Sequence, residues 1–165
     1  MTDIERKLRS QSPYFAQRIQ EAARTSNNEA EFRTKIALLI EEVASKVGLK
    51  NLHLREEYTL INGRADAVYN RLIIEYEPPR SLRESNASRT NKHAISQVKS
   101  YLEGLVRRER HKPERLAGVV LDGSYFIFVR TKGGVWYIDP PLRVDAHSTE
   151  HFLKLLFSLS TELAL

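Results

Sequence analysis

Asp66, Glu75 and Glu77 are the residues of this chain whose types and spacing could do chemistry. They fall in the stretch GRADAVYNRLIIEYE, residues 63–77. Two alternating apolar runs, Arg64–Tyr69 and Leu72–Glu77, flank Asn70-Arg71 and predict a tight β-hairpin. A two-residue turn pairs Tyr69 with Leu72, Val68 with Ile73, Ala67 with Ile74 and Asp66 with Glu75, because antiparallel partners keep a constant index sum. Glu77 then stands one pleat beyond Glu75 on the same face, opposite Arg64. Facing carboxylates repel, so such an arrangement calls for a cation between them. A solvated hairpin face laced with ion pairs accounts for the same residues equally well.

The elements around the hairpin must hold these acids in place. Ser12–Arg24 is predicted helical, with Ser12 as N-cap, Pro13 in the first turn and Phe15, Ile19 and Ala22/Ala23 on one stripe. A second helix, Glu29–Val47, carries Phe32, Ile36, Leu39, Ile40, Val43 and Val47 at helical spacing. Glu29 lies seven residues before Ile36, about 20° from it around the helix, so it ends the apolar face, whereas Glu31 points away. It equally suits the helix dipole. Leu52–Leu60 alternates as a first strand closed at Asn62-Gly63, and Pro78-Pro79 stops the third. Arg80–Asn91 is polar and predicted to be a mobile loop or frayed helix start. Helix Lys92–Arg108 follows, with Gln97 and Tyr101 one turn apart on one edge of its buried stripe. Leu116–Leu121, Tyr125–Arg130 and Val135–Ile138 are predicted strands, and Asp139-Pro140-Pro141 is expected to end the sheet. Ser148–Leu163 is predicted as a last amphipathic helix capped by Ser148. The expected fold is a mixed α/β sheet between helices.

With 165 residues, 41% of them hydrophobic, the chain has the size of one domain with a real core. The absence of cysteine rules out disulfides and thiolate metal sites. No secretory segment and no membrane-length apolar run is present, which points to a cytoplasmic protein with no membrane partner. Charge is unevenly distributed. Residues 78–112 hold nine Lys/Arg against three Glu, directly after the acidic hairpin. Such a neighbour suits a polyanion whose phosphates sit beside a metal on the carboxylates.

Taken together, Glu29-Ala30-Glu31-Phe32-Arg33, the Gly63-Arg64-Ala65-Asp66-Ala67 segment with Ile74-Glu75-Tyr76-Glu77-Pro78, and Gln97-x-x-x-Tyr101 resemble the PD-(D/E)XK nuclease superfamily. The likeness is nearest to the N-terminal nuclease-like domain of restriction-type polypeptides, such as the R subunits of type I systems, and related defence proteins. It covers roughly residues 29–130, and its hairpin portion is the specific part. The resemblance implies a restriction-endonuclease-like three-layer α/β/α core. It implies Mg²⁺ (or Mn²⁺) on Asp66 and Glu75, with Glu29 an auxiliary ligand and Gln97 and Tyr101 lining the site. Hard oxygen ligands suit such an ion, which polarises a phosphodiester and generates a hydroxide. The implied partner is DNA, its backbone held by Arg80, Arg83, Arg89 and Lys92. Other domains or subunits of a restriction-type assembly are further implied partners. The organisation expected is an N-terminal helical extension over 1–25, a nuclease-like core over 26–145 and a C-terminal helix over 146–165. That helix has no stop signal, as in a segment of a longer protein.

Glu77 departs from the pattern, standing where the superfamily has a lysine that orients or activates the attacking water. Two outcomes follow from it. Glu77 serves as metal ligand or general base, which makes it catalytic together with Asp66 and Glu75. Alternatively the site is inactive, Arg64 neutralises Glu77, and the domain only binds DNA. A third expectation, an assembly domain, rests on the apolar stripe of the last helix.

Overall fold

Period-two patterning builds a central sheet here and period-3.6 patterning covers both of its faces. A computed structural model describes residues 1–49, 52, 54–60 and 63–160. Two helices, α1 (Asp3–Thr25) and α2 (Glu29–Lys46), precede strands β1 (Leu54–Leu60), β2 (Gly63–Tyr69) and β3 (Leu72–Tyr76). After α3 (Arg89–Glu109) and a 3-10 turn (Pro113–Arg115) come β4 (Ala117–Leu121), β5 (Tyr125–Lys132), β6 (Val135–Ile138), β7 (Leu142–Arg143) and α4 (Ala146–Ser160). The predicted Asn62 turn position and the end of the last helix at Leu163 lie outside the described residues.

The strands form one mixed sheet in the order β1-β2-β3-β4-β5-β6, with β7 also on β5. β3 and β4 run parallel, which requires the α3 crossover between them, and the other neighbours are antiparallel. Two apolar clusters show the three layers. Leu8, Phe15 and Ile19 of α1 pack with Phe32, Ile36 and Ile40 of α2, Phe152 and Phe157 of α4, and Ile74 and Tyr76 of β3. On the opposite face Ala94, Val98, Leu102 and Leu105 of α3 pack on Val68, Ile73, Val120 and Ile127. Gly118 permits this contact, since a Cβ there would lie 2.3 Å from Val98 Cγ1. No helix among the described residues is long and apolar enough to cross a membrane.

Local differences from expectation have physical causes. α1 starts at Asp3, not Ser12, because Thr2 caps it through a reciprocal pair with Glu5. Pro13 is therefore interior, and the buried Ser12 hydroxyl donates to the Leu8 carbonyl (2.7 Å). α3 begins at Arg89 under Ser88, and the segment before it is pinned rather than loose. The buried Asn91 side chain donates to Arg83 O and accepts from Arg83 N, while Asp122 Oδ2 accepts from Leu82 N. The sheet continues past Asp139-Pro140-Pro141, because β7 pairs Leu142 with Phe126 and Arg143 with Tyr125. α4 is capped by Asp145, whose carboxylate accepts from Ser148 N while Ser148 Oγ accepts from Asp145 N.

Candidate active site

The hairpin forms in the predicted register, with Tyr69–Leu72, Val68–Ile73 and Ala67–Ile74 paired. The pairing stops there, so Asp66 does not face Glu75 across a ladder. Asp66 Oδ2 instead accepts the backbone N–H of Tyr76 at 2.8 Å. A side chain thus takes the place of a backbone acceptor, and the strands part where the acids begin. The β1–β2 pairing likewise skips from Glu56–Ala67 to Tyr58–Ala65, with Glu57 held at φ 47°. Such a left-handed non-glycine residue stores strain, often beside functional sites.

Glu75 alternates with Ile73, so its side chain enters the α3 layer, where the residue is only 6% exposed. Its Oε2 is buried with no hydrogen-bond partner. Burial pushes the Glu75 carboxyl up to about 9, and the negative charges of Asp66, Glu77 and Glu29 reinforce it. Glu77 is pushed up to about 7, first by burial, then by Glu29, Asp66 and Asp122. Burial raises Asp66 against the opposing pull of the Tyr76 N–H and Arg33, and raises Glu29 with help from Asp66. The four carboxylates therefore share one field although they come from a helix start and two strands. Tyr101 belongs to it, its hydroxyl raised by burial and by Glu75, Asp66 and Glu77. Its ring covers the start of β2, where a Cβ on Gly63 would lie 3.0 Å from Tyr101 Cε1. Gln97, half-buried, lies one turn before Tyr101 on α3.

Arg64 does not neutralise Glu77. With the β2–β3 ladder ended at Ala67 it has no partner on β3, and its guanidinium lies 3.9 Å from Glu57 instead. The cation at the acids is Arg33, 3.5 Å from Asp66 Oδ1 and 3.7 Å from Glu57. Neither Arg33 nor Glu57 was expected at the site. For Arg33 the sequence does hold a signal, since it follows Glu29 by one helical turn on the same face.

A hard divalent cation fits this donor set in type, because all the donors are carboxylate oxygens and Glu75 Oε2 has nothing else to bind. Convergence is incomplete, since no group of three acids or histidines that could hold a metal is formed among the described residues. Two carboxylates plus waters suffice for Mg²⁺. The basic residues follow at the same end of β3. Arg80, Arg83, Arg89 and Lys92 are exposed, and none is ion-paired among the described residues.

The fold and site define a mixed α/β domain with a half-buried carboxylate cluster where β2 and β3 diverge. No protein-family model, curated protein or solved structure matches the chain.

Proposed function

We propose that this domain is a metal-dependent endonuclease of PD-(D/E)XK type that hydrolyses DNA phosphodiesters with Mg²⁺ or Mn²⁺, in restriction or defence. The observation that carries the reading is Glu75 Oε2, buried without a hydrogen-bond partner, on a carboxyl held at about 9 beside Asp66, Glu77 and Glu29 although the Asp66 N–H pulls it down. A soluble domain gains no stability from such a group, so a ligand that uses its charge accounts for it. Asp66 and Glu75 would hold the cation, with Glu29 assisting. Bound there, it would supply positive charge to a phosphate oxygen and lower the pKa of a water. Without metal the Glu77 carboxyl stands at about 7, and a cation on the neighbouring acids would draw it toward the ionised form that takes the proton of the attacking water. Arg33 would stabilise charge near Asp66, the role of a nearby cation that Glu77 cannot fill. Gln97 and Tyr101 would line the site, and Arg80, Arg83, Arg89 and Lys92 would hold flanking phosphates.

The test is incubation of purified protein with single-stranded and plasmid DNA across salt, with Mg²⁺ or Mn²⁺. Metal-dependent nicking that Asp66→Ala abolishes is expected. No cleavage under any condition, or cleavage that survives Asp66→Ala, rejects the reading.

A second reading is a catalytically inactive DNA-binding domain of a larger restriction or modification assembly. The Arg33–Asp66 pair and the Asp66–Tyr76 hydrogen bond favour it, because both engage a carboxylate that a metal would need. It predicts salt-dependent DNA binding that survives Asp66→Ala, without cleavage.

A further inference from the structure

Four segments close around a cavity of about 270 Å³ at the end of the sheet where β3 and β4 finish. Arg24 from the last turn of α1, Arg80 after Pro78-Pro79, and Arg143 of β7 all line it, with Gly123 and Ser124 at its floor. No acid lines it, and among the described residues none of the three arginines is within ion-pair distance of a carboxylate. Two acids beside these segments are engaged by backbone N–H groups. Asp122 accepts from the N–H groups of Leu82, Ser124 and Tyr125, and Asp145 caps α4. Three exposed guanidinium groups around one concavity raise the local positive potential and draw an anion to it.

The cavity is built rather than incidental. Arg80 is held in the left-handed region at φ 61°, its N–H directed at Asp122 O (3.4 Å). Arg143 is braced over the Tyr125 ring at 5.3 Å. Gln20 donates to Val144 O, and glycine at 123 (φ 90°) lets α1 close in, since a Cβ there would lie 2.3 Å from Ala23 Cβ. Glu77 is three residues from Arg80, so their Cα atoms are within about 11 Å. A bound strand can therefore reach both places within a few nucleotides.

We propose that Arg24, Arg80 and Arg143 form a second phosphate-binding site, which holds a phosphate group of the nucleic-acid strand whose neighbouring phosphate lies at the acids. The proposal rests on the nucleic-acid reading above. The phosphate is an internal phosphodiester or a terminal phosphomonoester, which share the oxygen geometry that guanidinium forks recognise.

The test is fluorescence anisotropy of a short single-stranded deoxyoligonucleotide in EDTA, with 5′-phosphate and with 5′-hydroxyl. The Arg24→Gln/Arg143→Gln double variant is compared with Arg115→Gln/Lys132→Gln, which removes equal charge from exposed positions at the other end of β4 and β5. Thermal melting checks that both remain folded. The cavity variant is expected to bind about tenfold more weakly or worse, with a salt slope flatter by about two. The control changes affinity by no more than about twofold. Loss confined to the 5′-phosphorylated strand assigns a terminal phosphate, and equal loss for both assigns an internal one. Equal affinity of the two double variants, or no binding by wild type at low salt, overturns the proposal. Cleavage is read separately with metal, so intact cleavage with unchanged binding sinks this site alone. Absent cleavage with the expected binding loss sinks only the nuclease.

Discussion

Two clusters of charged residues flank the hairpin, and they resolve burial in opposite ways. At the C-terminal end of α3, Glu109 is partly buried against β1, and burial pushes its carboxyl up. Arg55 nevertheless donates to both of its oxygens, Tyr58 OH donates at 3.0 Å and His111 Nε2 lies at 3.1 Å. Those bonds outweigh burial, and the Glu109 carboxyl ends below its ordinary range. Arg55 and Arg108 also stack on Tyr58, at 4.2 and 5.1 Å from the ring centroid. At Glu75 the same burial is reinforced by three more carboxylates and opposed by the Asp66 N–H alone. A fold able to satisfy a buried acid at one end of a helix has left another unsatisfied beside it. That contrast separates a satisfied charge network from an unsatisfied one, and on it the nuclease proposal rests.

The sharpest way to break the contrast is Glu75→Gln. On the nuclease reading it removes a metal ligand, and metal-dependent cleavage falls by more than about 100-fold, since even groups that only support a ligand cost 10–100-fold. Without metal the same change stabilises. The folded Glu75 carboxyl, at about 9, lies above its ordinary 4.5, so the protonated form favours folding. That stability is complete below about pH 4.5 and is lost as pH rises toward 9. Thermal melts of metal-free protein at pH 8 should therefore rise by several degrees in Glu75→Gln. Mn²⁺ should raise the melting temperature of wild type at that pH and not of the variant. A variant that melts lower than wild type, with no metal response in either protein, would make Glu75 an ordinary structural residue.

Arg55→Met tests the satisfied cluster. It strands Glu109 among Tyr58 and His111, costing about 1–2 kcal/mol in urea denaturation for a pair that is still partly hydrated. The pH sense is opposite. A carboxyl held below its ordinary value stabilises above that value and loses the stabilisation as pH falls through its folded pKa, so wild type loses this contribution only in acid. Cleavage and DNA binding by Arg55→Met should stay within about twofold of wild type.

How much of this was legible depended on whether the cause is local. The hairpin register follows from turn length alone, and Asn70 adopts the φ of 51° that asparagine tolerates. That Glu29 lies within the field of the strand acids follows from helical phase. The parting of β2 and β3 does not, because it depends on one side chain, Asp66, competing for the Tyr76 N–H. Arg64 was matched to the wrong acid for that reason. Pro13 read as a helix start because the Thr2 cap and the Ser12 hydroxyl that accommodate it inside α1 act before and beneath it. The Arg80–Asn91 segment read as loose because Asn91 and Asp122 fasten it from elements distant in sequence. Arg24 and Arg143 lie 119 positions apart, and only the tertiary fold brings them to one cavity.

The smallest expected effect concerns Glu29, and it sharpens what sets the poise of Glu77. Burial is the main cause of the elevation of Glu77, and Glu29 is the first of the charges that add to it. Glu29→Gln keeps the shape and the helix start, removes that charge, and leaves Asp66 and Asp122 acting. The Glu77 midpoint should move down from about 7, and the acid limb of the pH–rate profile should move with it. On the nuclease reading the rate at neutral pH should change only severalfold, because the ionised fraction of Glu77 would rise while an auxiliary metal contact would be lost. Glu31→Gln is the matched comparison two residues away, since Glu31 binds Asn27 at the helix start and should leave the profile where it is. If both variants shift the limb equally, the effect is one of general surface charge. If only Glu29→Gln does, the acid at the head of α2 belongs to the site through its field as well as through any metal it helps to hold.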